Sequence, residues 1–153
     1  LRFFLERTLV AILFSANEME LSLWKLGERD TYWSELMDEE KGIFSSKFCR
    51  AFFPELKDEI IHFKVITKKV YRECSEYVHG NQSIFNKIPN DLGYSVEVFH
   101  EWNSKADTIK RVILFAFCLR YLKSLQNENI SKVETSLSEE FKTITPIIEI
   151  ITK

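Results

Sequence analysis

Tight turns are what this chain is least equipped to make. Its 153 residues include only 4 Gly and 3 Pro, and the close turns of sandwiches and barrels draw heavily on those two types. The shortage predicts long helices joined by few connections. The length suits one domain, residues 1–153, because a chain of about 150 residues buries roughly 68–70% of the surface it exposes when unfolded. Such a chain builds a core without disulfides or a structural metal. Hydrophobic residues at 45% and charged residues at 29% are globular composition, which excludes wholesale disorder. Phenylalanine, with 13 copies beside 5 Tyr and 3 Trp, predicts an aromatic-rich core. The chain starts at Leu1 rather than Met, so it is expected to be part of a longer gene product.

Hydrophobic periodicity divides the chain into helices. They are expected at residues 2–26 with a break near 15–17, at 31–37 with Asp30 as N-cap, and at 45–53 ended by Pro54. Further helices are expected at 55–79, 95–127 and 130–144, with a short closing segment at 147–151 after Pro146. Ser131 and Glu134 have capping-box spacing. Gly27 and Gly80 stand where helix C-terminal glycines would, and residues 38–42 and 81–94 read as connections. The second half of 95–127 is apolar almost all round, which predicts a central position. No strand pair, repeat or linker is apparent. The fold class is therefore all-α, a helical bundle of two long and several short helices.

A net charge of −2 excludes a generally basic nucleic-acid binder while allowing a local basic cleft. Cys49, Cys74 and Cys118 are odd in number and far apart, and no CxxC or Cys/His pair has zinc-ligand spacing. They are expected to be reduced thiols packed in helices, which points to a reducing cytoplasm. No metal or other cofactor is expected. Arg2, Glu6 and Arg7 interrupt the apolar opening in a way a secretory signal does not. The run at 112–119 is too short to span a bilayer. A soluble protein with no membrane partner follows.

The helix at 55–79 carries the chemistry. Plotted at 100° per residue, Leu56, Ile60, Phe63, Val70, Cys74, Tyr77 and Val78 fall on one side, and Lys64, Lys68, Lys69, Arg72, Glu76 and His79 on the other. Arg72 and His79 are seven residues apart, so they differ by only about 20° around the axis. Glu76 lies between them at contact spacing from each, and Ser75 borders the strip. Imidazole shuttles protons near neutral pH, and a guanidinium holds phosphate bidentately and stabilises charge developing on it. Metal-free cleavage of a phosphodiester needs that pairing. The structural alternative is an exposed Arg72–Glu76 pair with His79 favouring the negative end of the helix dipole.

The segment YRECSEYVHGN, with Arg72 and His79 on a long helix of an all-α domain of this size, resembles the arginine-x(4–6)-histidine signature of the HEPN superfamily. The wording is also similar to bacterial HEPN-like proteins tied to phage defence. The resemblance implies a metal-independent ribonuclease in a defence or toxin setting. It implies a homodimer in which two arginine–histidine pairs meet in one cleft, RNA as substrate, and a protein partner within a defence system. It makes Arg72 and His79 catalytic, with Glu76 and Ser75 supporting. Glu73 follows the arginine where active members often carry Asn, Asp or His. Members with imperfect motifs only bind nucleotides or partners, so a non-catalytic interaction or nucleotide-binding module is the alternative.

Lys64, Lys68 and Lys69 continue the Arg72 face and would guide an RNA backbone, or else form a solvated face. Arg2 and Glu6, one turn apart in apolar surroundings, are expected either to reach the Arg72 strip or to pair locally. Ile61 and Val65 lie among the charges of that face, so part of it is open to coverage by a second copy. Trp24, Trp33 and Trp102 are expected in the core, with a base-stacking platform as the alternative.

Overall fold

The computed structural model describes residues 1–80 and 93–152, and every regular element among them is helical. Among the described residues there are eight α-helices: α1 (Arg2–Phe14), α2 (Glu18–Lys25), α3 (Trp33–Leu36), α4 (Ser46–Phe52), α5 (Ile60–His79), α6 (Val96–Tyr121), α7 (Asn127–Phe141) and α8 (Thr145–Ile151). Short 3-10 turns at Pro54–Leu56 and Leu122–Ser124 precede α5 and follow α6. No strand occurs among the described residues. The two long helices are α5, of 20 residues, and α6, of 26.

α6 is central, as its all-round apolar second half requires. It packs against α5, α1 and α4, and it buries Ile109, Val112, Phe115, Ala116, Cys118 and Leu119. The core is aromatic. Phe63 of α5 and Phe115 of α6 stack with centroids 3.6 Å apart and planes 2° from parallel. Phe141 of α7 meets both edge-on, at 6.1 and 6.3 Å. Arg120 fastens the far end of α6 to the end of α1 through Ser15, donating to its hydroxyl at 3.1 Å and to its carbonyl at 2.9 Å. All three cysteines are free and buried. Burial raises their thiols above the ordinary range, Cys118 to about 12, because a thiolate is poorly solvated there.

Several boundaries differ from the periodicity, each for a local reason. Asn17 caps α2 by accepting from Glu20 N at 3.2 Å, which makes the break at 15–17 a true helix end. α3 is only four residues long and is capped at Tyr32 rather than Asp30. α5 begins at Ile60, not at 55, because Pro54 opens a tighter turn closed by three-residue bonds, Leu56 N to Phe53 O and Glu59 N to Leu56 O. α7 begins at Asn127, three residues early. Ser131 is therefore interior, and its hydroxyl donates to Glu128 O at 2.9 Å instead of capping. α8 takes in Pro146, which is tolerated in a first turn where its missing N–H is not needed. The expected loop at 81–94 lies, for residues 81–92, outside the described residues. No helix among the described residues is long and apolar enough to cross a membrane.

Candidate functional site

α5 buries Ile60, Phe63, Val70 and Cys74 against the core. Its opposite side presents a continuous exposed stripe of Ile61, Val65, Lys68, Lys69, Arg72 and His79. Gly80 ends the helix with φ 62° and ψ 42°, and its N–H bonds back to Glu76 O. A side chain is strained in that left-handed conformation. Glycine there makes His79 the last helical residue, with its imidazole at the rim of the bundle.

Arg72, Ser75, Glu76 and His79 together line one open depression of about 400 Å³. The Arg72 side chain is 85% exposed, and its Nε lies 3.7 Å from Glu76 Oε1. That is a loose contact, which leaves most of the guanidinium's donors free for an anion. The Ser75 hydroxyl donates to Tyr71 O at 2.7 Å. Its proton is committed to the backbone, and it can offer a ligand only its lone pairs.

His79 has a partner from another element. Arg2 Nη1 lies 3.3 Å from His79 Nε2. The guanidinium carbon of Arg2 also sits 5.2 Å from the centroid of Tyr71, whose ring stacks on Trp33 at 3.5 Å. Of the two alternatives for Arg2, the structure shows contact with the end of the Arg72 strip and no ion pair between the Arg2 and Glu6 side chains. Glu6 does not take part: among the described residues no hydrogen bond or ion pair involves its side chain. Tyr71 was not singled out by the sequence, although a ring at position −1 to the arginine, facing the apolar start of α1, was the available signal.

Lys64 corrects the basic-face reading. It is buried at 8% exposure, and its Nζ lies 2.8 Å from Glu39 Oε1. Eight residues before Arg72, it sits about 80° round the helix, on the flank where the connection between α3 and α4 lies. Gly42 shapes that connection, since a Cβ there would come within 2.6 Å of Asp38 O and Leu36 O. Lys68 and Lys69 remain exposed, Lys69 lying 4.0 Å from Glu73. Of the three lysines, Lys68 and Lys69 are the two whose side chains are exposed beside Arg72.

The tryptophans also depart from expectation. Trp24 is 43% exposed and Trp102 is 54% exposed, and only Trp33 packs closely. Tyr77 and Val78, on the predicted core side of α5, are 38% and 63% exposed. No group of three or more His, Cys, Asp or Glu side chains among the described residues is placed to hold a metal ion. Comparison with known proteins finds no matching family model, no matching curated protein and no matching solved structure.

Proposed function

We propose that the protein is a HEPN-like, metal-independent ribonuclease whose Arg72 and His79 cleave RNA in a homodimer, in a defence or toxin setting. The observation that carries this reading is the shared depression of Arg72, Ser75, Glu76 and His79, with an almost free guanidinium at one end and an imidazole at the other. A guanidinium carries donors alone, so a hydrogen bond at the Arg2–His79 contact requires a free lone pair on Nε2. Nε2 in that form is able to take a proton. His79 handles the proton of the 2′-hydroxyl or of the leaving oxygen, and Arg72 stabilises the charge on the pentavalent phosphate. Arg2 releases the Nε2 lone pair as the substrate enters.

Spacing supports the dimer reading. Within one helix Arg72 and His79 lie about 10 Å apart along the axis, too far for one phosphate to touch both without large side-chain swings. Two α5 helices running antiparallel about an axis at positions 75–76 bring Arg72 of one copy level with His79 of the other. Lys68 and Lys69 then flank the groove and meet the strand's backbone. The test is RNA cleavage by the intact chain in the presence of a chelator, with its mass in solution measured alongside. Chelator-resistant cleavage that Arg72→Ala and His79→Ala each abolish supports the reading. A well-folded dimer or native complex that cuts no RNA leaves the non-catalytic interaction module in its place.

A further inference from the structure

Beside the Arg72–His79 depression lies a second cavity, of about 320 Å³, lined by Arg2, Tyr77, Val78, Val98, Trp102 and Lys105 among others. Its origin is the divergence noted above. The apolar stripe of α5 continues through Tyr77 and Val78, but the first turns of α6 do not close over it. Val98 and Trp102 of α6 remain 37% and 54% exposed on the far side. The cavity is therefore walled by two helices and floored by the start of α1.

Its chemistry is specific in three respects. The walls offer the rings of Trp102 and Tyr77 rather than aliphatic side chains alone. Desolvation, reinforced by a hydrogen bond to Glu101, pushes the ionisation of the Tyr77 hydroxyl up to about 12, so the residue presents a neutral ring. The rim is cationic: Lys105 Nζ lies 5.3 Å from the Tyr77 centroid, and Arg2 stands between this cavity and His79. Glu101 offsets Lys105 as its partner, and among the described residues no carboxylate pairs with Arg2 at the boundary of the two cavities. A flat aromatic group fits such walls, and a phosphate joined to it would lie toward Arg2. The volume is at the lower end of small-molecule pockets, room for one planar heterocycle with part of its sugar.

We propose that this cavity is a nucleobase subsite, which holds one base of an RNA strand against Trp102 while the adjoining phosphodiester lies at Arg72 and His79. The assignment rests on the ribonuclease reading for its second half, the phosphate, and not for its first. Stacking tolerates every base because each has a π face, so the subsite sets the strand's register and gives only modest base preference. Arg2 couples the two cavities, since it leaves His79 when it turns to the phosphate.

The experiment uses the full chain with 2′-O-methyl RNA decamers of each base, which bind but cannot be cut through a 2′-hydroxyl. Binding is read by anisotropy and by quenching of tryptophan fluorescence. Trp102→Ala is expected to weaken binding about tenfold or more, as alanine substitution of a base-stacking ring does, and to remove most of the quenching. Trp102→Phe keeps affinity within about threefold because a phenyl ring still stacks. Val98→Glu, a second and independent variant, places a like charge at the mouth and weakens binding comparably. Both positions are partly solvent-exposed, and circular dichroism of each variant checks the fold. Unchanged binding in Trp102→Ala and Val98→Glu overturns the subsite, even where Arg72→Ala abolishes cleavage and the nuclease reading stands. Loss of binding in both variants from a protein that cuts no RNA upholds the subsite and overturns the nuclease.

Discussion

Arg2 and His79, 77 residues apart in the chain, meet at a single contact, Arg2 Nη1 to His79 Nε2 at 3.3 Å. Only a neutral imidazole protonated at Nδ1 can accept there, because arginine carries donors alone. Arg2 is itself fixed from the other side by the face of Tyr71, 5.2 Å from its guanidinium carbon. The contact thus joins the first turn of α1 to the last turn of α5 and, as a hydrogen bond, would select one tautomer of the residue proposed as proton carrier.

That selection is measurable. Nitrogen-15 spectra of the histidines at about pH 8, where free imidazole is neutral, are expected to show His79 with its proton on Nδ1. Arg2→Ala should release the constraint and let the Nε2–H form appear, while lowering RNA cleavage less than loss of His79 does. An unchanged tautomer in Arg2→Ala would show that the contact does not set it.

Arg72 and His79 should behave as a unit. Each single change to Ala is expected to lower cleavage by about 10²-fold or more, and the double change to lose little beyond either single one, because cooperating groups are not additive. Stability should barely notice. The Arg72 side chain is 85% exposed, so its removal should stay within about 0.5 kcal/mol. His79→Ala breaks one exposed hydrogen bond, worth about 1 kcal/mol. Activity loss that tracks a large drop in the denaturation midpoint would instead assign the pair a structural role.

The helices were legible in the sequence because their causes are local. Gly80 after His79, Pro54 after α4 and the apolar second half of α6 act within a turn or two of themselves. The stripe from Arg72 to His79 was legible for the same reason, since it depends only on helical period. What period cannot show is which flank another segment covers. Lys64 and Lys68 are both lysines on the polar side of α5, yet the connection carrying Glu39 lies against one and not the other. Tyr77 and Val78 have core-type side chains at core-type positions, and they stay exposed because α6 does not close over the end of α5. Arg2 reached His79 through packing across 77 residues, and no spacing rule encodes a contact of that range. The ends of α5 and α7 moved by a few residues because Pro54 and Gln126 set turn geometry that periodicity averages away.

The stacked pair of Phe63 and Phe115 anchors the fold. Both rings are fully buried and 3.6 Å apart, with Phe141 edge-on to each. Phe115→Ala is expected to destabilise the protein by about 3–5 kcal/mol in urea unfolding, through lost transfer energy and the cavity left in the middle of α6. Phe3→Ala, at a ring that is 71% exposed, should change stability by less than about 0.5 kcal/mol. Comparable losses from the two would contradict the arrangement of the core.

Lys64 and Glu39 give a prediction in which the direction of the pH effect is fixed by structure. The Lys64 ammonium is buried and lies 2.8 Å from Glu39 Oε1. The hydrogen bond and charge of Lys64 hold the Glu39 carboxyl below its ordinary value, so the folded state binds its proton less readily than the unfolded chain does. The stability this pair contributes is therefore fully present above the ordinary carboxyl range, near pH 4.5, and is lost as the pH falls through the lowered folded value. Below that point Lys64 is a buried cation without its counter-charge, the costly half of a broken pair. Lys64→Met replaces the cation with an apolar side chain of similar length and removes the linkage at its source. The variant is expected to be at least as stable as the parent at pH 7 and to show a shallower fall in stability below pH 5. Glu39→Gln should do the opposite at neutral pH, lowering the denaturation midpoint there because the ammonium stays buried with only a neutral partner. Chemical denaturation from pH 3 to 8 on the three proteins reads all of this. A Lys64→Met protein that is weaker than the parent at pH 7 and keeps the same acid limb would mean that Lys64 supports this flank of α5 through the packing of its stem and not through its charge pairing with Glu39, and would overturn the linkage.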